Sequence, residues 1–316
     1  MRFDILFSQF GALTFDGIVL GAIYALVALG YTLVYGVLRL INFAHSEIFM
    51  LGTFASLLTT AALGIEPLDD PMQGFSLVST FVIVCLVAMV VSGIAAVVLE
   101  RIAYRRLRRR GASRLTALIS AIGASLFIQE SVAIWRGRDF ESFPRFLDKE
   151  VWFTAFGADI RNDKVIILIA AVLMMIVLDR FVAGTRLGRG IRAVAQSQDT
   201  SILMGVNIDR VIMLTFLLGG VMAGLAGALN QVYFEQTKFS IGVLLGIKAF
   251  TAAVLGGIGN LRGALVGGLV LGVVESWGGA VFGGSWRDAV AFVILVFVLM
   301  FRPEGILGET LQRARA

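Results

Sequence analysis

The chain has 316 residues, of which 58% are hydrophobic and 16% are charged, and its mean hydropathy is +0.88. These values exclude a soluble globular protein and predict an all-α polytopic membrane protein. The single cysteine, Cys85, excludes a disulfide framework, and a net charge of +5 is too small to indicate nucleic-acid binding. Because a spanning helix needs about 20 mostly apolar residues, we predict about eight or nine membrane segments in one transmembrane domain, residues 1–316.

The first predicted span covers residues 15–38 and follows an N-terminal stretch without the pattern of a cleaved signal peptide. Gly17 and Gly21 have the spacing that lets two membrane helices approach closely. Polar residues interrupt the apolar pattern at 39–47, and an acidic turn at 64–74 ends the run that follows. We therefore expect a short or interrupted helix near 39–47.

Two basic loops predict the orientation of the chain in the membrane. Seven arginines lie in the segment 100–114, which follows the span 75–99. The loop 184–210 is also basic, and its pattern predicts short helices that each have one apolar stripe. Since basic loops of membrane proteins face the cytoplasm, we expect both loops there. The N-terminus is then outside, and the tail with Arg313 and Arg315 is cytoplasmic.

The last third of the chain contains a second interruption. Two apolar pieces, 243–255 and 264–281, flank the glycine-rich stretch 256–263. These pieces form either two spans or a re-entrant hairpin, and the last span begins near residue 285. We expect a short or interrupted helix near 256–263 as well.

The sequence lacks the residue patterns of the common catalytic and metal sites. His45 is the only histidine, so a metal site with two histidine ligands is excluded. Gly256, Gly257 and Gly259 with Asn260 resemble a phosphate-binding turn, but no nucleotide-binding motif surrounds them. We therefore predict a conduit for polar solutes, with no catalytic and no metal-ligating residue.

A conduit through lipid places polar side chains and irregular backbone where they line a cavity, and interrupted helices mark such places. The candidate residues of the translocation path are Asn42, His45, Ser46, Glu47, Gly256, Gly257, Gly259, Asn260 and Glu275. Each group has an alternative. The residues near 42–47 also suit a capped turn at the cytoplasmic surface, the glycines suit a tight turn, and Glu275 suits an interhelical hydrogen bond. Lys248 is explained equally well by a side chain that extends to the membrane surface.

Four stretches that together span most of the chain carry a family resemblance. They are GAIYALVALGYTLVYGVLRLINFAHSEIFMLG (21–52), GRGIRAVAQSQDTSILMGVNIDRVI (188–212), KAFTAAVLGGIGNLRGALVGGLVLGVVE (248–275) and FRPEGILG (301–308). In these stretches the chain resembles the permease subunits of branched-chain amino-acid ABC importers. Where that family usually has glycine after the histidine, this chain has Ser46, for which a left-handed backbone is less favourable.

The resemblance implies an inner-membrane permease subunit of the bacterial type, which moves branched-chain, aliphatic amino acids into the cytoplasm. The implied partners are a second homologous permease, two cytoplasmic ATPase subunits, an extracytoplasmic substrate-binding protein and membrane lipid. The chain itself needs no cofactor, because ATP and Mg²⁺ bind to the ATPase subunits. The implied ATPase-coupling residues, all within 184–210, are Arg192, Ala193, Ala195, Gln198, Asp199, Met204 and Gly205.

Two alternatives stay open at this point. An importer of urea or short amides shares these motifs, and nothing in the sequence separates the two solutes. An ion-coupled secondary carrier is the second alternative, and it would use Glu47 or Glu275 as its proton or sodium site. Only the importers need a partner ATPase.

Overall fold

The computed structural model describes residues 3–67, 70–155, 157–302 and 304–308, so the tail with Arg313 and Arg315 lies outside the described residues. In the described part, seven helices are long and apolar enough to span a membrane, and the apolar helix Ile241–Gly256 is shorter. The 18-residue helix His45–Ala62 belongs to the same bundle. The prediction of an all-α polytopic membrane protein with about eight or nine membrane segments is confirmed.

The described residues up to 136 form six α-helices. They are α1 Phe3–Ser8, α2 Phe10–Leu38, α3 His45–Ala62, α4 Gly74–Leu99, α5 Arg105–Arg109 and α6 Arg114–Arg136. A π-helical turn, Glu100–Tyr104, joins α4 to α5, so much of the arginine-rich segment extends α4 and is not a loop. Ion pairs favour this extension, because Arg105 lies 2.7 Å from the buried Glu100 carboxylate and Arg108 lies 3.8 Å from it.

The second half contains four short strands and seven further α-helices among the described residues. They are β1 Glu141–Ser142, β2 Val151–Ala155, β3 Ala158–Arg161, α7 Asn162–Gly184, α8 Arg186–Gln196, α9 Gln198–Leu203, α10 Ile208–Phe234, β4 Gln236–Thr237, α11 Ile241–Gly256, α12 Leu261–Phe282 and α13 Arg287–Phe301. Strands β2 and β3 form an antiparallel hairpin, and β1 pairs antiparallel with β4. Helices α8 and α9 confirm the short helices expected in the basic loop.

The connections lie at two opposite ends of the bundle. Arg108 and Arg109 bind Asp209 in the first turn of α10, and the Arg39 guanidinium donates to the Ala195 carbonyl of α8. We call this end, which carries α5, α8 and α9, the arginine end. The β2–β3 hairpin and the β1–β4 pair lie beyond the other end of α10, which we call the hairpin end.

Helix α2 lies in the core and packs most extensively against α12. A Cβ atom added to Gly21 would lie 2.7 Å from the Gly268 carbonyl oxygen, and one added to Gly17 would lie 2.5 Å from the Val273 Cα. Backbone therefore meets backbone along this contact, which only glycine permits. The close packing predicted from the glycine spacing is confirmed.

Helices α3 and α11 both begin inside the bundle. The His45 ring, in the first turn of α3, lies beside Gly219 of α10, about 17 Å along that helix from Ile208. Gly242 and Gly246, in the first turns of α11, pack against Ser46. The two apolar pieces in the last third of the chain are therefore a short helix, α11, and a full-length one, α12.

Candidate functional site

The break between α2 and α3 is fixed by hydrogen bonds on both sides. Arg39 has a left-handed backbone (φ 55°), and its amide donates to the Tyr35 carbonyl, which ends α2. The Tyr104 hydroxyl, from the π-helical turn, donates to Asn42 Oδ1 over 2.8 Å in a buried position. The side chain of Asn42 is therefore directed inward, and the break 39–44 is held to the arginine end of α4.

His45 occupies a tight site between α2 and α10. Its ring lies against Gly30 and Gly219, and its centroid is 4.8 Å from that of Tyr31 in an edge arrangement. A side chain at Gly30 would overlap the imidazole, so glycine is required there. The buried Nε2 atom has no hydrogen-bond partner among the described residues, so it can still donate or accept a hydrogen bond.

The Glu47 carboxylate is fully buried and only partly satisfied. Its Oε1 atom accepts from Ser46 at 3.3 Å and from Ser125 of α6 at 3.2 Å, whereas Oε2 has no partner among the described residues. Gly242 lets α11 approach closely, since a Cβ there would lie 3.1 Å from Oε2. A buried carboxylate with free acceptor capacity is costly unless it binds a donor. It suits a cationic group, such as an ammonium.

Further polar groups continue from Glu47 toward the hairpin end. The Thr53 and Thr237 hydroxyls lie 2.7 Å apart, and Gln231 Nε2 donates to the Thr53 carbonyl at 3.3 Å. Both side-chain polar atoms of Asn230 are buried and without partners in the described part of the chain. Sequence reasoning missed these residues, although an adjacent amide pair inside the apolar run of α10 is a signal that could have revealed them.

Lys248 joins three helices in a second buried polar cluster. Its ammonium lies 2.8 Å from Glu275 Oε1 in α12, 2.5 Å from Asp288 Oδ1 in α13 and 3.4 Å from the Tyr24 hydroxyl. Because Lys248 is buried, the structure does not support a side chain that extends to the membrane surface. It favours an interhelical partner for Glu275, and a role of Glu275 in the path stays a prediction.

The glycine-rich turn between α11 and α12 lies at the arginine end. Asn260 caps α12 by accepting from the Arg262 and Gly263 amides, and its Nδ2 donates to the Leu307 carbonyl at 2.9 Å. Gly256, about 15 Å along α11 from Gly246, marks the far end of that helix from Ser46. The members of this turn are Gly256, Gly257, Gly259 and Asn260. They are not close to Glu47, and a place for them in the path stays a prediction.

Helices α8 and α9 are bonded to the ends of two bundle helices. Arg192 donates to the Val182 and Ala183 carbonyls, the last turn of α7, and Gln198 Nε2 donates to the Val37 carbonyl at 2.8 Å. Thr185 and Ser197 cap α8 and α9, as hydroxyl residues at helix starts do. A displacement of the loop would therefore act on α2 and α7.

The loop has one buried and one open apolar side. Ile191 and Val194 are buried against the bundle, whereas Leu203 is 86% exposed and Met204 is 79% exposed. Gly205 has φ 77°, a conformation that glycine adopts at little cost. Beside it lies a groove of about 360 Å³, lined by Arg186, Leu187, Arg189, Gly190, Ala193, Val206, Asn207, Arg210 and Val211. Asp199, in the first turn of α9, is exposed.

Comparison with known proteins decides the family. Residues 13–299 match the family described as the permease component of branched-chain amino-acid transport systems. The chain belongs to this family. The permease is 40% identical, over 299 residues, to the high-affinity branched-chain amino acid transport system permease protein LivH of Escherichia coli, covering 93% of this chain and 94% of LivH. It is also 40% identical, over 298 residues, to BraD of Pseudomonas aeruginosa, with the same coverage.

A solved structure supports the fold alone. The permease superposes on a metal-chelate type ABC transporter in an inward-facing conformation with a TM-score of 0.50 and 14% sequence identity, covering 91% of this chain and 86% of the other. The family match and the seven apolar helices make the permease an integral membrane protein. Within the described residues, no group of three or more His, Cys, Asp or Glu side chains could hold a metal ion.

The hydrogen bond from Tyr104 to Asn42 can be tested by a single substitution. In Tyr104→Phe the Asn42 oxygen loses its donor but stays buried, which should cost about 1–3 kcal/mol of stability. Thermal unfolding of the purified permease in detergent measures this effect. Tyr35→Phe is the control, because the hydroxyl of this half-buried residue makes no hydrogen bond within the described chain. The thermal unfolding midpoint of Tyr35→Phe should therefore equal that of the wild type. Equal midpoints for the two variants would contradict the assignment.

Proposed function

We propose that the permease carries branched-chain, aliphatic amino acids into the cytoplasm as one of two membrane subunits of an ATP-driven importer. The second membrane subunit is a homologous permease, two ATPase subunits bind at the arginine end, and an extracytoplasmic binding protein delivers the solute at the hairpin end. The permease catalyses no reaction and holds no cofactor, since ATP and Mg²⁺ bind to the ATPase subunits. The observation that carries this proposal is the 40% identity to LivH and BraD over 93% of the chain.

The polar interior supports a zwitterionic solute. Glu47 has a buried oxygen without a partner, and a carboxylate is the natural partner of the ammonium group of an amino acid. Ser46 adjoins Glu47 in the chain and His45 lies two residues before it. Asn42 precedes them in the break, and the Thr53 and Asn230 groups continue the polar line toward the hairpin end. The solute would pass between α3, α10 and α11 when these helices separate.

The open side of the basic loop supports coupling to an ATPase. Leu203 and Met204 expose apolar surface at an end of the bundle rich in arginine, and such a patch marks a contact with another protein. Ala193, in the groove, and Gly205, at the turn after α9, allow close approach. When ATP binding draws the ATPase subunits together, they would pull on α8 and α9 and shift α2 and α7 as rigid bodies.

Uptake by reconstituted protein tests the proposal. The permease is purified with its partner permease and ATPases, placed in proteoliposomes and supplied with the binding protein and labelled leucine or urea. We expect leucine uptake that requires ATP and survives an uncoupler. Uptake of urea in place of leucine would indicate the amide importer. Gradient-driven uptake by this chain alone would contradict the proposal and favour an ion-coupled carrier.

The groove predicts a defect when Ala193 is enlarged. Ala193→Trp would fill the space of about 360 Å³ that a partner side chain needs, and overpacking costs about 1–3 kcal/mol, or about tenfold in affinity. We expect less co-purified ATPase and about tenfold lower ATP-driven uptake. Gln196→Trp is the matched control, because Gln196 is exposed on the same helix and does not line the groove. Equal uptake by the two variants would exclude the groove as a docking site.

A further inference from the structure

We infer that Arg39 and Gln198 form a reciprocal link that transmits movement of the basic loop to the break 39–44 and so to Glu47. The inference rests on the proposed function, in which the loop receives force from an ATPase. It assigns a positioning role to Arg39, a residue outside the loop and outside the candidate path. No solute and no ATPase needs to touch it.

The link consists of two hydrogen bonds in opposite directions. The Arg39 guanidinium donates to the Ala195 carbonyl in the last turn of α8 at 2.9 Å, and Gln198 Nε2 donates to the Val37 carbonyl in the last turn of α2 at 2.8 Å. The last carbonyls of a helix have no donor within the helix, so each side chain fills a vacant position of the other element. A cation at a helix C-terminus is also favoured by the helix dipole.

The left-handed backbone conformation of Arg39 indicates that its side chain has a role of its own. Arg39 has φ 55°, and a left-handed backbone is unfavourable for a residue with a Cβ but costs glycine little. Glycine at this position would therefore end α2 at least as well. The arginine contributes the one feature that glycine lacks, a guanidinium that reaches α8.

The connection from Arg39 to the polar interior is short. Residues 39–44 form no helix, α3 begins at His45, and Glu47 lies in its first turn. Asn42, halfway along, is held by the Tyr104 hydroxyl of the π-helical turn. A pull on Arg39 therefore cannot be absorbed by a long flexible loop. It reaches the start of α3, where Ser46 packs against α11.

The hydrogen bonds of Arg192, which also attach the loop to the bundle, do not lead to the break 39–44. Arg192 ties α8 to the Val182 and Ala183 carbonyls at the end of α7. That bond positions the loop on the bundle, and it does not contact the break. Loss of the Arg39 bond should therefore leave the loop in place while weakening the link between its movement and Glu47.

The test uses the complete importer in proteoliposomes and measures two rates, leucine uptake and ATP hydrolysis. In Arg39→Gly the backbone at the end of α2 is relaxed, so the complex should assemble as the wild type does. We expect ATP hydrolysis to continue while the number of leucines imported per ATP falls about threefold or more, the effect of one lost charge-assisted hydrogen bond. Gln198→Ala should change the ratio in the same direction, and Arg39→Lys, which keeps a cation, should remain closer to the wild type.

Arg106→Ala is the matched control, because Arg106 is an exposed arginine of the same end whose side chain makes no hydrogen bond or ion pair in the described chain. An unchanged ratio in Arg39→Gly would overturn the link and leave the proposed function intact. Failure of Arg39→Gly to assemble with the ATPases, as measured by size-exclusion chromatography, would also overturn it, since Arg39 would then be a structural anchor. If the wild-type complex shows no ATP-dependent uptake, the proposed function fails and the link fails with it.

Discussion

Gly268→Val is expected to prevent most of the permease from folding. A Cβ atom at Gly268 would lie 2.7 Å from the backbone nitrogen and from the Cα of Ala25, in the close contact between α2 and α12. Neither backbone can move without displacing its helix, and α2 is buried along most of its length. Overpacking a core costs about 1–3 kcal/mol when side chains can adjust, so a clash between backbones should cost more.

The measurement is the fraction of protein that elutes as a single species after extraction in mild detergent. Gly123→Val is the matched control, because Gly123 is an exposed glycine of α6 with open space around it. Valine is also the better helix former, so the control should fold as well as the wild type. Equal yields for Gly268→Val and Gly123→Val would show that α2 and α12 do not pack as described.

Lys248→Met is expected to give the second largest loss of stability. The substitution removes the ammonium and leaves the Glu275 carboxylate, which is 2% exposed, without its charged partner. Removing one member of a buried ion pair costs about 3–5 kcal/mol. The loss of the ammonium should destabilise Asp288 less, because its side chain is 44% exposed and can turn toward solvent.

The double variant Lys248→Met with Glu275→Leu separates charge from packing. Replacing a buried ion pair by apolar residues of similar volume is often neutral, so we expect most of the thermal stability lost by Lys248→Met to return. The thermal unfolding midpoints of the wild type, both single variants and the double variant complete the comparison. A double variant as unstable as Lys248→Met would mean that the cluster acts through packing or through Asp288.

The sequence predicted the long apolar elements well because lipid imposes a simple requirement on them. The interruption predicted at 39–47 contains the break 39–44, after which α3 begins at His45, and the acidic turn predicted at 64–74 lies after the end of α3 at Ala62 and ends where α4 begins, at Gly74. Glycine spacing was equally informative, because Gly17 and Gly21 meet α12 through backbone contacts. These features depend on residues close together in the chain.

Partners that are distant in the chain could not be predicted in this way. Tyr104 and Asn42 are 62 residues apart, and nothing near either residue indicates the other. The sequence around Lys248 did not reveal its carboxylate partners, because they come from α12 and α13. A side chain that extends to the membrane surface therefore explained Lys248 equally well. The β1–β4 pair joins two connections that lie on either side of four helices, α7 to α10, and the sequence of 136–164 showed no recognisable motif for it.

The glycine-rich stretch shows a limit of pattern reading. Gly256, Gly257 and Gly259 with Asn260 suited both a break in the path and a tight turn; the structure shows a capped turn against residues 304–308, and a place in the path stays a prediction. The second helix that starts inside the bundle is α11, at Ile241, where the sequence has no charged residue to mark it. In the sequence, a helix start that is flanked by glycine and apolar residues cannot be distinguished from the middle of a membrane span.

The central claim is that the arginine end faces the cytoplasm, where nucleotide energy enters, and the hairpin end faces outward. Cys85 is the only cysteine and is buried, so Cys85→Ala gives a background for labelling with a membrane-impermeant maleimide. In that background Trp152→Cys, in the β2–β3 hairpin, should react in intact cells. Met204→Cys, after α9, should react only after the membrane is permeabilised. Labelling of Met204→Cys in intact cells would contradict the account, because the loop would then lie on the side without ATP.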